Sequence, residues 1–228
     1  MVRLALLLII VGLVIFGPQL WTRRVFAQYS GPRPDYPGTG AELARHLLDR
    51  FDMKHVKVDT TEKGDHYDPE TKAVRLTPDK FSGKSLTAVT VAAHEVGHAI
   101  QDYIGYQPLA ERTRLVRVAH GAERVGVVMM MGIPIATALA RTPVAGILVL
   151  VAGMATMGIS TLVHLITLPV EWDASFRRAL PVLQQGNYLS PDDMQGARRI
   201  LTAAALTYVA TSLASLLNLW RWIAFLRR

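Results

Sequence analysis

A chain of 228 residues has room for one ordinary domain, or for a small domain with membrane helices. Half of it is hydrophobic but only 7% is aromatic, and the apolar residues gather at the start, in 125–170 and near the end, leaving 23–124 polar enough for a water-facing domain. The absence of cysteine excludes disulfides and thiolate ligands, so a transition metal would have to be held by His, Asp or Glu. The net charge of +7 comes with no nucleic-acid recognition module, and arginines flanking apolar runs suit anionic lipid headgroups better.

In chain order, residues 4–20 form an almost unbroken apolar run, long enough to span a bilayer with its flanks. A cleaved signal peptide is the rival reading, with Val25-Phe26-Ala27 as its cleavage site. The run is long for that, and Arg23 and Arg24 follow it as a stop signal, which favours an uncleaved anchor. A Pro/Gly-rich linker at 30–40 precedes a short amphipathic helix at 41–51. Alternating segments at 55–60 and 73–77, with turn-rich 63–69 between them, predict a β-hairpin. Such a sheet beside a site could hold an extended peptide by main-chain hydrogen bonds.

A helix is expected from Ser85, its N-cap, to about Gly105. It carries His94-Glu95-Val96-Gly97-His98. Histidines at i and i+4 project from one helical face and can reach a single Zn²⁺, while the glutamate beside them can deprotonate a water at the metal. Residues 109–124 read as a basic amphipathic helix, with Arg112, Arg114, Arg117 and Arg124 near a membrane surface. Two apolar runs, 125–140 and 142–169, predict a transmembrane hairpin. Polar 170–200 follows, with a helix start at Ser190-Pro191, and then a final apolar run at 201–219.

The expected fold class is therefore a mainly α integral-membrane protein of about four apolar helices with a small water-facing domain. The expected division is an anchor at 1–22, a catalytic domain at 23–124 and a membrane hairpin at 125–169. A segment completing the site follows at 170–200, then a transmembrane or interfacial helix at 201–228. The arginines at 23–24, 112–124, 177–178 and 198–199 outnumber those at 3, 141, 221 and 227–228. The positive-inside rule then predicts that the motif faces the cytoplasm.

Catalytic zinc takes three protein ligands and leaves one position open. Glu171, where the hairpin re-emerges on the same side as the histidines, is the expected third, with Asp173 as competitor. Ser175, one turn on, can hydrogen-bond a ligating imidazole. Arg177, Arg178, Tyr188 and the histidines are candidate oxyanion donors. His164, two turns before Glu171, reads as a helix-interface histidine in preference to a pathway residue.

The segments DHYDPETKAVRLTP (65–78), AAHEVGHAIQD (92–102) and LPVEWDAS (168–175) resemble the YugP-type membrane zinc metallopeptidases, and the order of elements agrees over nearly the whole chain. Glu171-Trp172-Asp173-Ala174-Ser175 is more distantly similar to the Glu-x-x-Ala-Asp of HtpX-type membrane proteases. The resemblance implies a small α+β zincin-like (gluzincin) domain holding one Zn²⁺ per chain through His94, His98 and Glu171, with Glu95 catalytic. Ser175 stands where that wider group has Asp, so Asp102 or Asp173 is the alternative partner for a ligating histidine. The expected activity is hydrolysis of peptides or membrane proteins at the bilayer surface, with a regulatory partner or oligomer left open. A catalytically inactive metal-binding adaptor or sensor is the alternative.

Overall fold

The computed structural model describes residues 2–122, 159 and 161–226. Its elements are α1 (Val2–Gln28), α2 (Gly40–Arg50), β1 (Lys57–Thr60), β2 (His66–Asp68), β3 (Ala73–Leu76), α3 (Pro78–Phe81) and α4 (Leu86–Tyr103). Residues 107–122 and 161–172 are also helical. A π-helical segment (Asp173–Ala179) then leads into α5 (Leu180–Gln185) and the long α6 (Pro191–Leu226).

Local chemistry sets the helix starts. Thr39 caps α2 through a reciprocal capping box: its side chain accepts from the Glu42 N–H while the Glu42 carboxylate accepts from the Thr39 N–H. Ser85 caps α4 by accepting from the Ala88 N–H at 3.1 Å, and Ser190 does the same for α6 at the Asp193 N–H. Helix α4 ends at Ile104, and Gly105 takes the left-handed turn (φ 67°) that side-chain-bearing residues resist.

The sheet departs from the expected hairpin between 55–60 and 73–77. The strand order is β1-β3-β2, with β1 parallel to β3 and β2 antiparallel to it. His66-Tyr67-Asp68, inside the supposed turn, is extended, and the real hairpin is β2–β3, closed by the Asp68 carboxylate accepting from the Glu70 and Thr71 N–H groups. Leu47, Leu48, Met53, Val56, Val74, Leu76 and Val96 are fully buried between α2, the sheet and α4. Burial on all sides lets α4 read as apolar around most of its circumference.

The expectation of about four apolar membrane helices is corrected. Among the described residues, no helix is long and apolar enough to cross a membrane, and the architecture is helical with one small mixed sheet. The run at 4–20 belongs to α1, which continues to Gln28 and packs along α6, where the Thr22 hydroxyl bonds to the Ala203 carbonyl at 2.7 Å. The final run at 201–219 continues the helix that begins at Pro191. The predicted hairpin at 125–169 lies outside the described residues except for 159 and 161–169, which are helical.

Arg33, from the linker after α1, ties that linker to α6. It donates to Asp35 and, at 2.7 and 3.0 Å, to both oxygens of Asp193, and its guanidinium stacks on Tyr36. The Arg33 hydrogen bonds hold the Asp193 carboxyl below its ordinary range. A depressed carboxylate contributes stability that is full above the ordinary Asp pKa and disappears as pH falls through the folded value. Asp193→Asn should therefore lower the melting temperature at neutral pH, and the gap from wild type should close at strongly acidic pH. Thermal scans across pH would check this.

Candidate metal centre

Helix α4 and the π-helical segment meet at a very short distance. A Cβ on Gly97 would lie 2.7 Å from the Ala174 carbonyl oxygen, so only glycine lets the two backbones approach this closely. The widened turn has a local cause. Pro181 lacks an N–H and its ring crowds the carbonyl four residues back, at Arg177. The Leu180 N–H reaches Ser175 instead, five residues back.

This contact brings Glu171 over the histidines of α4. Glu171 Oε2 lies 3.2 Å from His94 Nε2 and 3.4 Å from His98 Nε2. The imidazoles stand edge to face at 4.7 Å between centroids, and one ligating atom from each of the three residues falls within 4.8 Å of the others. Glu171 is buried, yet its carboxyl is held well below the ordinary range: desolvation opposes ionisation, and the two imidazoles outweigh it.

The surrounding hydrogen bonds fix which atoms face inward. Gln101, fully buried, donates through Nε2 to the Val170 carbonyl (2.8 Å) and the Asp173 carboxylate (2.9 Å). Both partners are acceptors, so its Oε1 must be the atom 2.9 Å from His98 Nδ1. His98 Nδ1 therefore donates to Gln101, which leaves Nε2 directed at Glu171. An imidazole nitrogen and a carboxylate oxygen thus face each other at 3.4 Å, and the donor set, two imidazoles and a carboxylate, suits Zn²⁺. Ser175 Oγ lies 3.2 Å from His94 Nδ1 and orients the other ring.

Glu95 is buried next to this cluster. Burial pushes its carboxyl up to about 7, His94 acts against that rise, and Glu171 and Asp65 reinforce it. The Tyr67 backbone N–H favours the ionised form, which sets strand β2, at the sheet's edge, beside Glu95.

The other expected residues are distributed as follows. Asp173 lies away from the ligand cluster, where it accepts from Gln101 and from Arg178 Nε (3.1 Å) and so acts on His98 through Gln101. Asp102 contacts neither histidine; it accepts from the Tyr67 hydroxyl (2.6 Å) and Lys72 (2.5 Å), fastening α4 to the sheet. Arg177 is exposed, Arg178 is committed to Asp173, and Tyr188 bonds to His46 and Arg50. His164 is half-buried, and its carbonyl accepts from Ser212.

Two residues of the site were missed. Gln101 sits one turn beyond His98 on the ligand-bearing face, a position that could have marked it. Arg112, whose Nη2 lies 3.9 Å from Glu171 Oε1, carries no local signal.

A helical chain with a small sheet, a largely buried His-His-Glu cluster and an adjacent buried glutamate has the parts of a zinc peptidase. The family model described as "putative neutral zinc metallopeptidase" matches residues 4–227, and the chain belongs to that family. It is similar to the "Putative membrane protease YugP" of Bacillus subtilis (strain 168), at 34% identity over 210 residues, covering 91% of this chain and 89% of the relative. No solved structure matches it.

Gln101→Leu should leave His98 free to rotate and Asp173 short of a donor. The expected loss is about 10- to 100-fold in zinc affinity, read by titration against a competing chelator.

Proposed function

We propose that the chain is a zinc-dependent endopeptidase in which His94, His98 and Glu171 hold the metal and Glu95 is the general base. The observation that carries this reading is the convergence of the three ligating atoms within 4.8 Å beside a buried Glu95. Zinc held there would polarise the scissile carbonyl and lower the pKa of the attacking water. Glu95 takes a proton from that water as its oxygen bonds to the carbonyl carbon, and returns it to the amine as the C–N bond breaks. A carboxyl pushed towards neutrality suits both transfers. Gln101 and Ser175 keep the two imidazoles in register throughout.

The outer edge of β2, unpaired among the described residues and beside Glu95, supports an extended peptide as substrate, added to the sheet by main-chain hydrogen bonds. We also propose that the enzyme works in association with a membrane. The name of the YugP relative says this of that protein, and here α1 leaves Leu13, Phe16 and Leu20 exposed, an apolar surface suited to lipid.

With a quenched fluorescent peptide library as substrate, Glu95→Gln should lower hydrolysis by at least ~100-fold while zinc content stays at the wild-type level. Glu171→Ala should lose zinc, and Asp173→Ala should retain more than Glu171→Ala does. Zinc-loaded wild type that cuts nothing, or Glu95→Gln that cuts normally, would overturn the assignment.

A further inference from the structure

The mechanism above leaves the negative charge that develops on the carbonyl oxygen without a donor from the chain. Within helical 107–122, Arg112 places Nη2 3.9 Å from Glu171 Oε1, the oxygen of that carboxylate other than the one between the imidazoles. Among the described residues this is its one ion pair, and its guanidinium makes no hydrogen bond. Its side chain is 31% exposed, so the free donors remain accessible at the lip of the cluster.

The groups that position the histidines behave differently. Gln101 and Ser175 each hold an imidazole through a hydrogen bond of 2.9 and 3.2 Å. Arg178, about as exposed as Arg112, is committed to Asp173 through Nε at 3.1 Å. Arg112 instead presents a permanently charged, planar donor set, held near the cluster by charge attraction alone. Tyr208 of α6 lies near the same cluster: its phenol is in the fields of Glu171, Glu95 and Arg112 and makes no hydrogen bond among the described residues.

We infer that Arg112 is a catalytic residue that stabilises the carbonyl oxygen of the scissile bond as it becomes an oxyanion, an inference that rests on the peptidase reading. As the water oxygen bonds to the carbonyl carbon and its proton passes to Glu95, the C=O π pair moves onto oxygen, where the guanidinium meets it. When the C–N bond breaks, that pair returns to re-form the carbonyl, and the amine leaves with the proton from Glu95. A cation aimed at charge that exists only in the transition state raises turnover more than substrate binding.

The test uses full-length, zinc-loaded wild type, Arg112→Ala and Arg112→Lys. The probes are N-phosphoryl-leucyl-tryptophan, a tetrahedral oxyanion mimic, and its C-terminal amide, with binding read by calorimetry. Zinc content and the kcat and KM of a cleaved peptide are measured alongside. In Arg112→Ala, zinc should be retained, both probes should bind at least ~10-fold more weakly, and kcat should fall by about 100-fold with KM nearly unchanged. Arg112→Lys should recover part of each loss. Loss of zinc in Arg112→Ala would make Arg112 a positioning residue for Glu171 and overturn the inference. Weakening of the free-acid probe alone would make it a reader of substrate carboxylates, which also overturns it. An active wild type with an unchanged Arg112→Ala sinks this inference alone. A zinc-loaded wild type that takes neither probe and cuts no peptide sinks the peptidase reading and this inference together.

Discussion

His98 Nε2 and Glu171 Oε2 face each other at 3.4 Å in the interior, and the side chains around them hold both in place. Gln101 cannot rotate its amide without setting its oxygen against the Val170 carbonyl and the Asp173 carboxylate, so its Oε1 stays on His98 Nδ1 and Nε2 stays turned to Glu171. Glu171, 3% exposed, has no water to retreat into. The result is a buried carboxylate with two imidazole nitrogens gathered at it, a donor set suited to a divalent cation, and the rest of the fold maintains it. Gly97 allows the close approach, the π-helical turn before Pro181 carries Ser175 to His94, and Asp102 pins the end of α4 to the sheet through Tyr67 and Lys72.

The same crowding sets the two glutamates against each other. Glu171 and Glu95 are both buried, but the imidazoles keep Glu171 ionised while burial pushes Glu95 up to about 7. Two carboxyls a short distance apart thus acquire opposite tendencies, one suited to holding a cation and the other to exchanging a proton. The division follows from position: Glu171 faces both rings, whereas Glu95 faces His94, Asp65 and the edge of β2.

Much of the site could be read from the chain because helical spacing is a local property. His94 and His98 share a face by their separation of four, Ser85 announces the start of α4, and Glu171 follows from the need for a third oxygen or nitrogen ligand. Where tertiary packing decides, the sequence was silent or misleading. Gln101 reads as an ordinary polar residue until its burial is known, and Arg112 lies beyond the turn at Gly105, with nothing local to connect it to Glu171. The short strand β2 was hidden by Pro69 and the acidic residues around it, so β1 and β3 appeared to be hairpin partners when they are parallel neighbours. Apolar density at 4–20 and 201–219 suggested separate membrane spans. These runs are instead parts of longer helices, α1 and α6, that pack along each other through contacts such as that of Thr22 with Ala203. Hydropathy alone does not distinguish a separate membrane span from the apolar part of a longer helix.

X-ray absorption at the zinc edge of the metal-loaded, full-length protein tests the central claim most directly, because it reads the ligands without requiring a substrate. The account predicts a first shell of nitrogen and oxygen at about 2.0–2.2 Å, with the outer-shell scattering of two imidazoles and no sulfur. A protein that binds no zinc, or a spectrum with fewer than two imidazoles, would contradict the His94–His98–Glu171 centre and the chemistry built on it.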